Sequence, residues 1–512
     1  MKKVISLLLV FAMLCTLLAA CADNSEILEN NAETTASVPE VEESEPTMEE
    51  TQRAYSETTA SDFKYTHTDD GVAIEGYIGS DEVVVIPAEI DGAPVTSIGG
   101  EAFSSCSSLT SLTIPDGVTS IGGSAFYDCS SLTSVTIPGS VTSIDDDAFR
   151  ECTALEDIVI PDSVTSIGCD AFKYTGIDNW SNGALYIDRW LVDIRDEFAG
   201  ECSIRPGTVG IADRAVDCIS GLTSVTIPDG IKHIGDSAFC DCGSLTSVTI
   251  GNGVTSIGDG AFRDCGSLTS VTIGNGVTSI GEDAFSGCSS LTEINIPDSV
   301  TTVSFGAFQN TAIYNSVDRW TDGVLYIDNW LIEASANTLE EYTIVPGTTG
   351  IAERAFFFCT DLTSVTIPDG VTSIGVYSFS QCEKLSSVII PDSVTSIGDS
   401  AFECSGLTSV TIGNGVTSIG NNVFEGCSSL TSVTIGNGVT SIGDLAFWNC
   451  DNLQEAYFMG NAPALGVDAF MTWSIETQAN IIIPGLTIYY LEGKDGWESP
   501  AWKDYPTSTW QK

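Results

Sequence analysis

The chain has 512 residues, with 18 Lys plus Arg against 70 Asp plus Glu, a formal net charge of −52. That balance excludes a nucleic-acid partner, which needs a basic footprint, and disfavours electrostatic docking on anionic lipid. Hydrophobic residues make up 43% of the chain, enough for a sizeable core.

Lys2 and Lys3 precede an apolar run from Val4 to Leu18, which is followed by Ala19, Ala20 and Cys21. This order of charged, apolar and small-plus-Cys segments resembles a bacterial lipoprotein signal. The resemblance implies cleavage after residue 20, a lipid on Cys21, and a place on the extracellular face of a bacterial envelope. Residues 21–61 are rich in Glu, Thr, Ser and Ala, with Tyr55 as their only aromatic. Such a segment cannot bury enough apolar surface to offset its ordering entropy, and reads as an extended acidic tether. Residues 62–94 carry irregular strand patterns and read as an N-terminal cap.

From Val95 to about residue 484 the chain repeats itself about every 23 residues. In the copy that starts at Leu109, Leu109, Leu112 and Ile114 alternate with polar residues, as in a half-buried strand. Pro115, Asp116 and Gly117 supply turn chemistry. Val118 and Ile121 bring a second extended piece inward. Ala125, Phe126 and Cys129 follow at three-to-four spacing, which predicts one helical turn with its apolar side inward. A single coil cannot bury its own apolar edges, whereas stacked coils can. The fold class is therefore a repeat solenoid with short β-strands and short helical turns.

The recurring Ile-Gly-x-x-Ala-Phe-x-x-Cys-x-x-Leu, followed by Thr-Ser-Val-Thr-Ile-Pro, resembles the BspA-type leucine-rich-repeat family of bacterial surface proteins. The resemblance covers roughly Ser61 to the C-terminus. It implies a solenoid used for adhesion to host or bacterial surfaces.

Two segments interrupt the repeat, near 177–203 and 313–343. Trp180, Tyr186 and Trp190 in the first match Trp320, Tyr326 and Trp330 in the second, 140 residues on. Apolar runs on either side of Asp188 and Arg189, and of Asp328 and Asn329, predict two inserted β-hairpins. The tail, 485–512, is aromatic-rich and reads as a C-terminal cap, which an open solenoid end requires.

Candidate chemistry is sparse. Cys106, Cys129, Cys152, Cys242, Cys265, Cys288, Cys359, Cys382, Cys404, Cys427 and Cys450 all stand three residues before a repeat Leu. They are expected to form a ladder of buried free thiols, since parallel in-register side chains suit the disulfide dihedral poorly. The two histidines, His67 and His233, belong to no metalloprotease or hydrolase motif. Asp145, Asp146 and Asp147 form the densest acidic cluster in the repeats, a weak candidate for Ca²⁺. Most other Asp occupy repeated turn slots, where repetition points to a structural role. No cofactor or metal is implied.

Two surfaces remain as binding candidates. One is the strand face, where Ser247, Thr249, Ser270 and Thr272 point outward by alternation. The other is the hairpin pair, with Trp180, Tyr186, Trp190, Trp320, Tyr326 and Trp330 as possible stacking platforms. The expected partner is an extracellular protein or glycan, with the membrane reached through the lipid. The competing readings are a non-binding surface spacer and, with less support, a glycan-active enzyme. Ice or crystal binding is disfavoured because Asp157, Glu293 and Glu455 break the hydroxyl ladder.

Overall fold

A computed structural model describes residues 58–335 and 339–511. The expected signal peptide, Cys21 and the tether as far as residue 57 lie outside these residues. The described chain is a β-solenoid of about 19 turns with repeats of about 23 residues.

The coil that starts at Leu245 shows why the sequence winds this way. Strand Ser247–Ile250 turns through residues 251–253 into Val254 and the short strand Ser256–Ile257. Leu245, Val248, Ile250, Val254, Ile257, Ala261, Phe262 and Cys265 are all buried. They line the inside of one coil and meet the same residue types above and below. The two strands pair in parallel and in register with the next coil: Val248 stands beside Val271, and Ile257 beside Ile280. Phe262 stacks between Phe239 at 5.1 Å and Phe285 at 5.4 Å, its ring within a few degrees of parallel to each.

Side chains add bonds between coils. The hydroxyl of Thr278 donates to the carbonyl of Thr255, and that of Thr269 to Thr246. Asp236 accepts the N–H of Asp259, and Asp259 that of Glu282, at 2.8 and 2.7 Å. Most repeated Thr and turn Asp residues are thus used in holding one coil to the next, consistent with their repetition.

The third wall is not the helical turn that the spacing predicts. Around Phe262, alternate N–H groups stay in the coil (Ala261 to Gly258, Arg263 to Gly260, Cys265 to Phe262). Those between them reach the next coil (Gly260 to Glu282, Phe262 to Ala284, Asp264 to Ser286). Gly260 and Asp264 both have φ of +59°. This left-handed region breaks a helix after each turn and favours Gly, Asn and Asp. The result is a ladder of tight turns with the same three-to-four apolar spacing that a helix would have. Helical pieces among the described residues are the three-residue 3-10 turns Ala60–Asp62 and Val317–Arg319.

Both interruptions are β-hairpins. Ala184–Ile187 pairs antiparallel with Trp190–Ile194, and Val324–Ile327 with Trp330–Ala334. The second strand of each then pairs in parallel with the following coil, at Gly210–Ile211 and Gly350–Ile351. The turn residue Asp188 accepts the N–H of Ile160, and Asp328 that of Ile296. Each hairpin therefore satisfies backbone donors where the strand-face sheet stops.

At the N-terminal end Phe63–Thr68 and Gly71–Tyr77 form an antiparallel pair. Phe63 and Tyr77 cover the ring of Phe103. Thr58, within the segment expected to be tether, is already anchored: its N–H donates to the Val85 carbonyl at 3.2 Å and its hydroxyl accepts the Val85 N–H. At the other end Thr487–Leu491 and Tyr505–Trp510 extend the strand-face sheet beyond Glu455–Phe458.

Candidate binding surface

The structure separates the two candidate surfaces. Tyr186, Trp190 and Trp330 are 1–2% exposed and belong to the core. The expectation that they form an exposed aromatic platform is corrected on that ground. The Trp190 ring lies so close over Gly210 that a Cβ there would fall 2.4 Å from it, and Trp330 lies over Gly350 in the same way. Ser fills the corresponding place in most coils, for example Ser256 and Ser279. The Ser-to-Gly exchange at 210 and 350 was the sequence signal that each indole needs this space. Tyr186 donates its ring to Arg205, whose guanidinium stands 4.3 Å from the centroid, and its hydroxyl accepts the Arg205 N–H. Trp180 and Trp320 are half-buried. Arg195 stacks on Trp180, and the Trp320 indole N–H donates to the Tyr314 carbonyl at 2.8 Å. Tyr326 is also half-buried and shares a hydroxyl contact of 3.0 Å with Tyr342. Most of the aromatic area closes the seams between array segments.

The strand face remains open. Thr249, Ser270 and Thr272 are exposed and Ser247 partly so. Ser270 lies in a groove of about 460 Å³ at the foot of the second hairpin, edged by Glu293, Asn295, Arg319 and Asp328. Further along the same face a larger groove, about 760 Å³, runs over Thr366, Ile389, Thr411 and Thr434 to Trp510, with Asp369, Asp392 and Asn414 on its rim. Ile389 stands where Thr stands in adjacent coils and is 70% exposed. Beyond Thr434 the outward column continues as Tyr457 and Tyr489, stacked at 4.9 Å, with Trp510 edge-on at 5.1 Å. The aromatic end of this face was not found from the sequence. The tail's Trp residues were legible, but their pairing onto the strand-face sheet was not.

The acidic cluster is dispersed by its partners. Asp146 accepts the Cys169 N–H at 2.7 Å, and Asp147 pairs with Arg150 at 2.9 Å. Asp145, Asp146 and Asp147 do not converge as ligands. His233 is half-buried, and burial holds its imidazole below the usual range. Burial also pushes two carboxyls up to about 6: Asp193 at the first hairpin and Asp213 in the coil after it.

The cysteines of the described residues are free. Cys404 departs from the ladder. Its coil is one residue short, so Ser405 takes the buried slot, 3.2 Å from the Cys427 thiol, and Cys404 moves outward.

The sequence profile described as a BspA type leucine rich repeat region matches residues 86–184, 210–338 and 349–476, in six copies. Comparison with curated proteins gives no match. A leucine-rich repeat protein from Bacteroides ovatus is 26% identical, covering 85% of this chain and 100% of its own, with a TM-score of 0.27. A leucine rich cell surface protein from Faecalibacterium prausnitzii is 28% identical, covering 78% of this chain and 88% of its own, with a TM-score of 0.24. A leucine-rich repeat protein from T. pallidum is 29% identical, covering 46% and 91%, with a TM-score of 0.25. Superpositions with scores this low carry no argument; the repeat sequence does. Matched over more than half its length, the chain belongs to the BspA-type leucine-rich-repeat family.

Proposed function

We propose that this protein is a lipid-anchored binding module of the bacterial cell surface, not an enzyme, and that it takes an extended protein or glycan along its strand face. The observation that carries the reading is the outward column from Thr366 through Ile389, Thr411 and Thr434 to Tyr457 and Tyr489. It places an exposed Ile and hydroxyls along one groove that reaches Trp510, with Asp369 and Asp392 at the rim and the stacked Tyr457 and Tyr489 continuing the column. Aromatic rings and a bare aliphatic side chain offer contact area at low side-chain entropy cost. Most of the hairpin aromatics are engaged in the core, which leaves this face as the accessible candidate. The carboxylates would favour a partner with basic groups, and that part of the affinity would weaken with salt.

The test is a glycan and extracellular-matrix array probed with the mature chain, followed by affinity measurements on folded variants. Ile389→Lys with Thr411→Lys addresses the larger groove, and Thr249→Lys with Thr272→Lys the earlier sheet. A loss of roughly tenfold or more in one pair, about 1.4 kcal/mol, supports the reading. Unchanged affinity in both pairs excludes the strand face. Absence of any ligand on the array supports a spacer instead.

A further inference from the structure

Cys218 has no place in the buried ladder. In its coil the inward slot is taken by Ile219, which is 2% exposed, and Cys218 stands one residue earlier on the outside. It occupies a left-handed turn position, φ +62°, filled elsewhere by Ser105, Asp128, Asp264 or Asn310. Neither packing nor backbone geometry calls for a thiol there.

Its surroundings do give it a chemical setting. The Cys218 thiol donates to Asp217 Oδ1 at 3.1 Å. The Cys218 N–H bonds to the Cys240 carbonyl at 2.8 Å, which brings Asp241 of the next coil alongside. One ligand atom each from Asp217, Cys218 and Asp241 lie within 4.8 Å of one another. Cys240 Sγ is 3.8 Å from Asp241 Oδ2. Two adjacent coils thus present Asp217 and Cys218 beside Asp241, with the Cys240 thiol buried and outside the converging set. Among the described residues this is the one place where three such ligand atoms converge.

We propose that Asp217, Cys218 and Asp241 bind a thiophilic divalent cation of the Zn²⁺ class, with solvent as the fourth ligand. A Zn²⁺ ion takes sulfur at about 2.3 Å and carboxylate oxygen at about 2.0–2.2 Å in a tetrahedron. Ca²⁺ fits poorly, because it wants about six to eight oxygens and this patch offers two carboxylates and sulfur. As the Sγ–metal bond forms, the thiol proton passes to solvent, so affinity rises with pH.

The experiment uses the reduced, full mature chain and Co²⁺ as the probe. Expected is a thiolate-to-Co²⁺ charge-transfer band that saturates at one ion per chain and is displaced by Zn²⁺. Cys218→Ser should abolish the band, and Asp241→Asn should weaken it. Ser is already used at this turn position, at Ser105, so the variant keeps a compatible backbone. In parallel, Zn²⁺ should slow alkylation of Cys218 by roughly tenfold or more, since a metal-bound thiolate is a poor nucleophile, and leave the exposed edge of Cys404 as reactive as before. The proposal is overturned if Co²⁺ gives no thiolate band, if the band survives in Cys218→Ser, or if Zn²⁺ leaves the Cys218 rate unchanged.

Discussion

The thiol of Cys265 donates a hydrogen bond to the main-chain carbonyl of Phe239, in the preceding coil, at 3.1 Å. The same bond joins Cys129 to Phe103, Cys288 to Phe262 and Cys450 to Phe424. Each sulfur is thus a core atom with a fixed polar partner, and burial raises the thiols of Cys450 and Cys427 above the ordinary range, the latter to about 12. We expect iodoacetamide to modify Cys218 in the native chain and to reach the ladder thiols only in denaturant, without any reductant. Mass spectrometry that finds ladder disulfides would contradict this. Ser405 already fills one ladder slot, so Cys265→Ser should cost only about 1 kcal/mol.

Phe262 is fully buried between two parallel rings. Phe262→Ala should cost about 3–5 kcal/mol, the usual range for removing a buried ring. In a solenoid the loss is felt by neighbours first. Hydrogen exchange should therefore quicken in the coils of Phe239 and Phe285 before it does near Phe447.

Trp190 and Trp330 are buried, so their substitution is expected to change stability rather than recognition. Gly210→Ala or Gly350→Ala would drive a methyl into the indole, an overpacking cost of about 1–3 kcal/mol. The expected readout is a changed Trp emission with faster exchange at that seam alone. Ligand affinity should be unaffected as long as the variant stays folded.

Acid should stabilise the seam after the first hairpin. The Asp213 carboxyl is raised to about 6 by burial, with Asp236 and Asp146 adding like charge. A folded state with the higher pKa binds more protons than the unfolded chain between about pH 4 and 6, so stability falls as pH rises through that window. Asn serves the same acceptor role at Asn421, which takes the Asp444 N–H. Asp213→Asn should therefore raise stability at pH 7 by about 1 kcal/mol after allowance for solvent screening. It should also flatten the thermal midpoint against pH over this range. A steeper dependence would refute the assignment.

Cys21 is proposed to carry the lipid, on the strength of the segment before it. Cys21→Ser should abolish metabolic labelling with palmitate and release the chain from the cell. Undiminished labelling would place the lipid elsewhere or remove it from the account.

Period and turn chemistry made most of the fold legible. The alternation at Leu109, Leu112 and Ile114 and the turn at Pro115–Gly117 fix the strand and its exit, and the in-register pairing follows from identical coils. What escaped the reading were features that depend on what lies across the stack. Ala125, Phe126 and Cys129 have one spacing in a helix and in a ladder of turns; the left-handed φ at Ser124 and Asp128 decides between them. Trp190 reads as a surface platform until Gly210 is set beside it. The Cys404 spacing to Leu407 matches the repeat, but the missing residue lies between Ser405 and Leu407, so the side chain two places from the repeat Leu is the one that points inward. Of the candidate site, the Ser and Thr column was legible and its aromatic end was not, because strand order in the tail has no repeat to reveal it.

The acceptors along the stack all face one way: Asp236 receives Asp259, and Asp259 receives Glu282. A coil that carries Asp or Asn in this slot therefore presents the next with the same waiting oxygen, as Asp399 and Asn421 also do. The stretches 245–258, 268–281, 407–420 and 430–443 are identical in sequence. Recombination between their coding segments would delete or duplicate whole coils and leave every junction bonded as before. The length of such a solenoid is thus a quantity that heredity can extend or shorten in steps, without a new fold being found each time.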